Sequence, residues 1–316
     1  MADTPRNAAH SDIIQDILPR GEVSILAGSS GCGKSTLLMQ ALAAFQAGEH
    51  TFLGHVLDLD TRWGYLANDH AWKLYEDTAR RCHLNINGLP HVSVMDDDTI
   101  DLEVFRRDSL KLLEDLLLRL KDAGATAVVV DTLVSWFGGD IRNYNLPAYA
   151  LLRLGRFCRT HGLTILGTHH ATKARTDFSF KRAQDRISGS MALLGFSSTQ
   201  LCLIPPDENG TAAYQFHVIA HNAPAKMIAL SRSESTGIFI PYDAVTGGTL
   251  IEVEEAIVEI VRNAGDGVAV TRGALLAALT GRVSVSSLDR HLRKLEQEGF
   301  LQKTRRGEYT AAPLAA

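Results

Sequence analysis

The chain has 316 residues, with 32 Lys plus Arg against 36 Asp plus Glu and a formal net charge of −4. That balance excludes a globally basic nucleic-acid coat, though not local basic patches. With 45% hydrophobic and 22% charged residues, it reads as a globular chain of one large domain or two modest ones.

No run approaches eighteen apolar residues, so no membrane helix is expected. The opening MADTPRNAAHSDIIQD lacks the apolar core of a secretion signal. Cys32, Cys82, Cys158 and Cys202 form no CxxC pair, which points to reduced thiols and a cytoplasmic location.

Taken in order, residues 1–20 form an N-terminal arm, and a core follows over 21–243. Glu22 to Gly28 (EVSILAG) is an apolar strand feeding a glycine-rich turn and a helix from Lys34 to Gln46. Arg62 to Asp69 and His91 to Asp98 are the next strands. Leu102 to Lys121 has apolar residues at helical spacing and is expected to be one amphipathic helix. Ala125 to Asp131 is an uninterrupted β-branched run of the kind buried in parallel sheets. Pro147 opens a helix that ends near Gly162, and Leu163 to His170 is the strand after it. This alternation predicts an α/β fold with a mostly parallel sheet. After Thr199, short strands without long helices predict an antiparallel extension. AVTGGTL (244–250) reads as a linker, and 251–316 as a small helical domain closed by a hairpin.

Gly28, Ser29, Ser30, Gly31, Cys32, Gly33, Lys34 and Ser35 fit the phosphate-loop pattern GxxxxGK[ST], followed by Thr36. A strand before it and a helix after it supply the context the chemistry needs. Glycines let backbone N–H groups converge on phosphates, and the helix N-terminus adds partial positive charge. Lys34 would reach the β- and γ-phosphates and Ser35 would hold Mg²⁺. Asp131, ending the β-branched strand, is the expected Mg²⁺-shell carboxylate, against the plainer reading of a helix cap. ATP and Mg²⁺ are the cofactors this implies.

LAGSSGCGKSTLLMQ, VVVDTLVSWFGGDIRN, and LGTHHATK followed by DRISGSMALLG resemble the RecA-type ATPases, specifically the plasmid RepA-like hexameric helicases, over about residues 20–243. The resemblance implies a RecA-like core, ring assembly as a homo-oligomer, and DNA passing loops at the ring centre. It makes Asp69 the counterpart of the family's catalytic glutamate, shortened by one methylene, with one of Asp96 to Asp98 as the fallback. His169 and His170 match a strand-end pair that senses the γ-phosphate. The chain departs from the family at the cation that a neighbouring subunit inserts, having His221 and Ser198 at the matching places. Lys226 or Arg232 could substitute.

Residues 173–186 carry Lys173, Arg175, Lys181, Arg182 and Arg186 against two acids, with Phe178 and Phe180 among them. Basic side chains neutralise phosphates and rings stack on unpaired bases, so this loop is the candidate single-strand contact. A solvated surface loop is the plain alternative. In the tail, SSLDRHLRKLEQEGFLQK resembles a winged helix. Its helix is expected to start at Ser286 or Ser287, to bury Leu288, Leu292 and Leu295, and to expose Arg290, His291, Arg293 and Lys294. Arg305 and Arg306 lie in the wing turn. From 270 to 316 there are eight basic and four acidic residues, which suits duplex DNA, or else a protein-docking module.

The expectation is a DNA-acting ATPase, a helicase or translocase of replication or recombination, partnered by single-stranded or duplex DNA, by itself in a hexameric ring, and by replication or recombination proteins. A non-motor ATP switch that loads or regulates is the alternative. A small-molecule kinase is a third class, and it would need neither the histidine pair nor the tail.

Overall fold

The computed structural model describes residues 12–140, 142–171, 187, 191–206, 213–220, 224–233, 236–243, 248–265, 268–279, 285–305 and 307–311. The chain divides into two compact units, the first reaching Ile228 and taking in Arg232–Phe239, the second holding Ala229–Ser231 and everything from Ile240 onward.

In the first unit β1 (Val23–Gly28) leads into α1 (Lys34–Ala47), and a small hairpin of β2 (Thr51–Phe52) and β3 (His55–Val56) follows. Then come β4 (Trp63–Ala67), α2 (Trp72–Arg81), β5 (His91–Ser93), α3 (Leu102–Arg107), α4 (Ser109–Asp122) and β6 (Ala127–Asp131). The unit continues through α5 (Asn145–His161), β7 (Thr164–His170), α6 (Met191–Phe196), β8 (Thr199–Ile204), β9 (Tyr214–Ala220) and β10 (Lys226–Arg232), of which Ala229–Ser231 are counted with the second unit. The strands lie in the order β10-β9-β8-β1-β7-β6-β4-β5. The six from β8 to β5 run parallel, and β9 returns antiparallel to β8. The expected parallel sheet with an antiparallel extension is therefore present.

Parallel strands covered on both faces need side chains that are apolar at every position. The run from Ala127 to Val130 is fully buried, as the sequence requires. The core continues through Leu113, Leu117 and Leu120 of α4, and Leu151, Leu154 and Cys158 of α5. Residues 12–20 join this unit, with Ile13, Ile14, Ile17 and Leu18 buried and Ile14 bridged to Leu57.

Two expectations change in detail. The helix expected over 102–121 is two helices, because Asp108 leaves helical geometry at φ −149° and its carboxylate accepts the Lys111 N–H at 3.0 Å. An N-cap aspartate at that place starts a new helix. The strand expected to reach Asp98 stops at Ser93, because Asp96 turns back to accept from Ser93 Oγ and the Trp72 N–H, each at 2.6 Å.

In the second unit β11 (Phe239–Asp243), whose first residue belongs to the first unit, pairs antiparallel with β12 (Gly248–Thr249). Next come α7 (Leu250–Asn263), β13 (Val270–Thr271), α8 (Arg272–Ala278), α9 (Val285–Gln297), β14 (Leu301–Arg305) and β15 (Glu308–Ala311). The last three strands form an antiparallel sheet, β13-β15-β14. Val253, Ile257 and Val261 of α7 pack with Leu275, Leu279, Leu288, Leu292, Leu295, Leu301 and Tyr309 into a separate core. Among the described residues no helix is long and apolar enough to cross a membrane.

Candidate nucleotide site

The carboxyl ends of the parallel strands bring the phosphate loop, Asn68, Asp131 and His170 to one edge of the sheet, where open α/β sheets place their ligands. The loop itself needs glycine for two reasons. Gly31 and Gly33 have φ of +76° and +105°, a region that side chains other than glycine's rarely enter. A Cβ on Gly28 would lie 2.6 Å from Cys32 Sγ and 2.9 Å from the Leu203 carbonyl. Gly33 caps α1, so Lys34 and Ser35 open that helix, where its N–H groups are free to meet an anion.

Lys34 is buried, and its ammonium donates to the carbonyls of Gly28 at 3.0 Å and Ser29 at 3.1 Å. The loop thus holds its own cation where an anion would take it over. Ser35 Oγ donates to Asp131 Oδ2 at 2.8 Å, joining the loop to the end of β6. Asp131 is 4% exposed, and among the described residues no cation pairs with it. Among the described residues the groups on its carboxylate are hydroxyls: Ser35 and Tyr65 (2.8 Å) on Oδ2 and Thr168 on Oδ1, with the Tyr75 phenol also turned toward it. A buried charge costs much unless compensated, so this oxygen set suits a hard divalent cation that arrives with phosphates. No cluster of three His, Cys, Asp or Glu forms among the described residues. Such a cation would therefore share this acid and Ser35 with its nucleotide.

Asp69 lies two residues beyond β4 and is exposed, its carboxylate 3.8 Å from His70 Nε2. Its neighbour Asn68 turns inward instead, donating through its backbone N–H to the Asp131 carbonyl at 3.0 Å and through Nδ2 to Ser135 Oγ. His169 and His170 do not act from one face. Side chains alternate along a strand, so the two point to opposite faces; His169 is 1% exposed, and His170, the last residue of β7, is exposed. Thr168 reaches Asp131, which puts His170, two residues on, on the phosphate-loop face.

The substitutes for the neighbour's cation are engaged within the chain. Lys226 pairs with Asp16 at 2.8 Å. Arg232 donates to the Gly237 carbonyl at 3.1 Å and sits 5.6 Å from the Phe239 ring centroid. Ser198 ties β8 to β1, donating to the Val23 carbonyl at 3.0 Å. His221 lies outside the described residues, as do Lys173, Arg175, Lys181, Arg182, Arg186 and Arg306.

In the second unit, His291 is buried rather than exposed, because it falls on the same helical face as Leu288 and Leu295. Its Nδ1 lies 3.0 Å from Glu254 Oε1, and Lys294 donates to Glu254 Oε2 at 2.7 Å. Lys294 is thus paired rather than free. Arg293 and Arg305 are exposed, and Arg290 lies within α9. The helix starts at Val285, one or two residues before the serines expected to cap it.

Tyr65 and Thr168 were missed by sequence reading, since each finds Asp131 only through the fold. Burial, with the Asp131 charge beside it, pushes the Tyr65 phenol well up, so it stays a neutral donor. No curated protein matches the chain. Residues 2–176, more than half of it, match the family model of an AAA domain, and the chain belongs to that family of P-loop ATPase domains.

Proposed function

We propose that this protein is a RecA-like, DNA-acting ATPase of the RepA-like helicase kind, working as a homo-oligomeric ring, with a winged helix-turn-helix tail. The observation that carries the nucleotide half is the joint arrangement of Lys34, Ser35 and Asp131. A buried lysine caps its own loop, and a serine at the helix start reaches a carboxylate that no cation among the described residues pairs with. Lys34 would exchange two carbonyls for the β- and γ-phosphates. Ser35 and Asp131 would hold Mg²⁺, which neutralises charge developing on the phosphates. Asp69, open to water, would orient the attacking molecule, with ATP and water giving ADP and phosphate. His170, on the loop face, is the better placed of the two histidines to sense the γ-phosphate.

The DNA half rests on the net charge of the 173–186 loop and of the tail, and on the order of elements in the second unit. Helix, short strand, helix, helix and two-stranded hairpin is the order of a winged helix, and α9 would be its recognition helix. One observation favours the second reading, a non-motor switch that loads or regulates. Lys226 and Arg232 are both held within their own chain, which leaves a neighbour's site without either cation.

ATP hydrolysis measured without DNA, with single strands and with duplex tests the proposal. Single strands should accelerate turnover several-fold if the enzyme is a motor. Turnover indifferent to both forms of DNA would contradict the DNA-acting reading. Duplex binding without any acceleration would favour the switch.

A further inference from the structure

Asp131 is the buried acid of the proposed cation site, and three of its hydroxyl partners come from three different elements. Ser35 opens α1, Tyr65 stands in the middle of β4, and Thr168 lies on β7. The two neighbouring strands flank β6 in the sheet, so the register sets both contacts: Ala67 is the partner of Asp131 on β4, and Gly167 is the partner of Val130 on β7. Tyr65, two residues before Ala67 on the same strand, reaches forward along the sheet with its full length to the carboxylate. Thr168 lies one residue past Gly167, directly beside Asp131.

We propose that Tyr65 and Thr168 are positioning residues that fix the Asp131 carboxylate for the divalent cation of the bound nucleotide. The inference rests on the reading of Asp131 as a cation-shell acid. A carboxylate on a short side chain rotates about its last bond unless both oxygens are engaged. Tyr65 holds Oδ2 at 2.8 Å, sharing that oxygen with Ser35, and Thr168 holds Oδ1. With both oxygens occupied by fixed donors, the plane of the carboxylate is set before any ligand arrives. Groups behind a metal ligand commonly set its affinity in this way.

The packing around Tyr65 keeps its hydroxyl in place. Its ring meets Trp72 edge-on at 5.7 Å and Tyr75 at 5.3 Å, and Trp72 stacks flat on His91 at 4.0 Å. Tyr65 is wholly buried, and Trp72 and Tyr75 are nearly so. This aromatic wall, supplied by the start of α2, leaves the phenol little room to swing away. Thr168 is fully buried as well. Neither hydroxyl carries charge, so both stabilise the anion without competing for it as a lysine would. The arriving metal keeps a full negative charge to meet.

The test measures Mn²⁺ affinity, as a spin-active substitute for Mg²⁺, for the complex of the full chain with ADP. Electron paramagnetic resonance counts free Mn²⁺, so no turnover is needed. Tyr65→Phe and Thr168→Val keep shape and remove one hydroxyl each, and each should weaken Mn²⁺ about three- to tenfold. Thr168→Ser restores the donor and should regain affinity within about twofold of the parent. ADP affinity in metal-free buffer should stay within about twofold throughout. Asp131→Asn serves as the reference and should weaken Mn²⁺ more than either.

If Asp131→Asn weakens Mn²⁺ while Tyr65→Phe and Thr168→Val do not, the positioning role is overturned and the cation reading of Asp131 stands. If Asp131→Asn has no effect, the cation reading itself fails and takes this inference with it. Equal losses of ADP with and without metal would also overturn the inference, since they would mean a deformed phosphate loop. Failure of Thr168→Ser to recover would do the same.

Discussion

Among the described residues each unit buries one carboxylate, and the two are treated in opposite ways. Glu254 in the second unit meets a cation from its own chain, Lys294 at 2.7 Å, and the His291 ring at 3.0 Å. Asp131 in the first unit, buried more deeply, meets only hydroxyls among the described residues. A charge that the chain neutralises itself serves the fold. A charge left for an outside cation is a cost to the fold that function can recover, which is where natural proteins tend to give up stability. The comparison therefore separates a structural acid from a site acid without reference to sequence motifs.

The largest expected effect comes from removing the cation that the phosphate loop holds, Lys34. Lys34→Ala should lower ATP turnover by about a thousandfold, because the phosphates lose their fixed positive partner while the helix keeps its best-forming residue. Steady-state phosphate release checks this, and near-normal turnover in a folded variant would remove the first unit from the comparison. Asp69→Asn should lower turnover about a hundredfold and leave nucleotide affinity nearly unchanged, since only the water-orienting acid is lost. A pre-steady-state burst assay with a parallel binding titration separates the two. If Asp69→Asn changes neither, Asp96 to Asp98 are the next acids to test.

The second acid makes a stability prediction with a definite sign. Burial opposes the charge on Glu254, but hydrogen bonds from His291 and Lys294 outweigh it and hold the carboxyl below its ordinary value of 4.5. A depressed acid stabilises the fold fully above its unfolded value. That contribution is lost as pH falls from about 4.5 through the lower folded value. Glu254→Gln should cost about 2 kcal/mol near pH 7, less than the roughly 3–5 kcal/mol of breaking a fully buried pair, because Lys294 is half exposed and rehydrates. Thermal melts at pH 7 and across pH 5 to 3 check both points, and the variant should show a flatter acid limb than the parent.

The smallest effect concerns the exposed face of α9. Arg293→Ala should weaken duplex binding about tenfold or less with no change in melting, and should reduce its salt dependence by about one counterion. Lys294→Ala should behave the other way, changing melting more than binding, because its ammonium belongs to Glu254. Neutralising Lys181 and Arg182 should weaken single strands instead, and salt titrations on both DNA forms compare the two.

Much of the first unit was legible in the sequence because its signals are local. The glycines and lysine of residues 28–35 sit within one turn, and the β-branched run up to Asp131 identifies a buried parallel strand on its own. The break at Asp108 was legible too, since Asp108-Ser109 is an N-cap signal, but the apolar spacing on either side masked it. Strand alternation already required His169 and His170 to face opposite ways. Helical spacing likewise placed His291 with Leu288 and Leu295. The hydroxyls of Tyr65 and Thr168 were beyond reach, because they lie 66 and 37 residues from Asp131 and only the sheet register joins them. Neither residue type carries a spacing rule that would single it out.

One measurement tests the contrast between the two acids most directly: the melting of Asp131→Asn and Glu254→Gln in a metal-chelating, nucleotide-free buffer near neutral pH. Asp131→Asn removes a buried charge that has no cation among the described residues and replaces it with a neutral group of the same shape, so it should match or exceed the parent, by about 1 kcal/mol. Glu254→Gln should melt lower than the parent. If Asp131→Asn instead loses as much stability as Glu254→Gln, then Asp131 is a structural acid satisfied by its hydroxyls, and the account of it as a waiting cation site is contradicted.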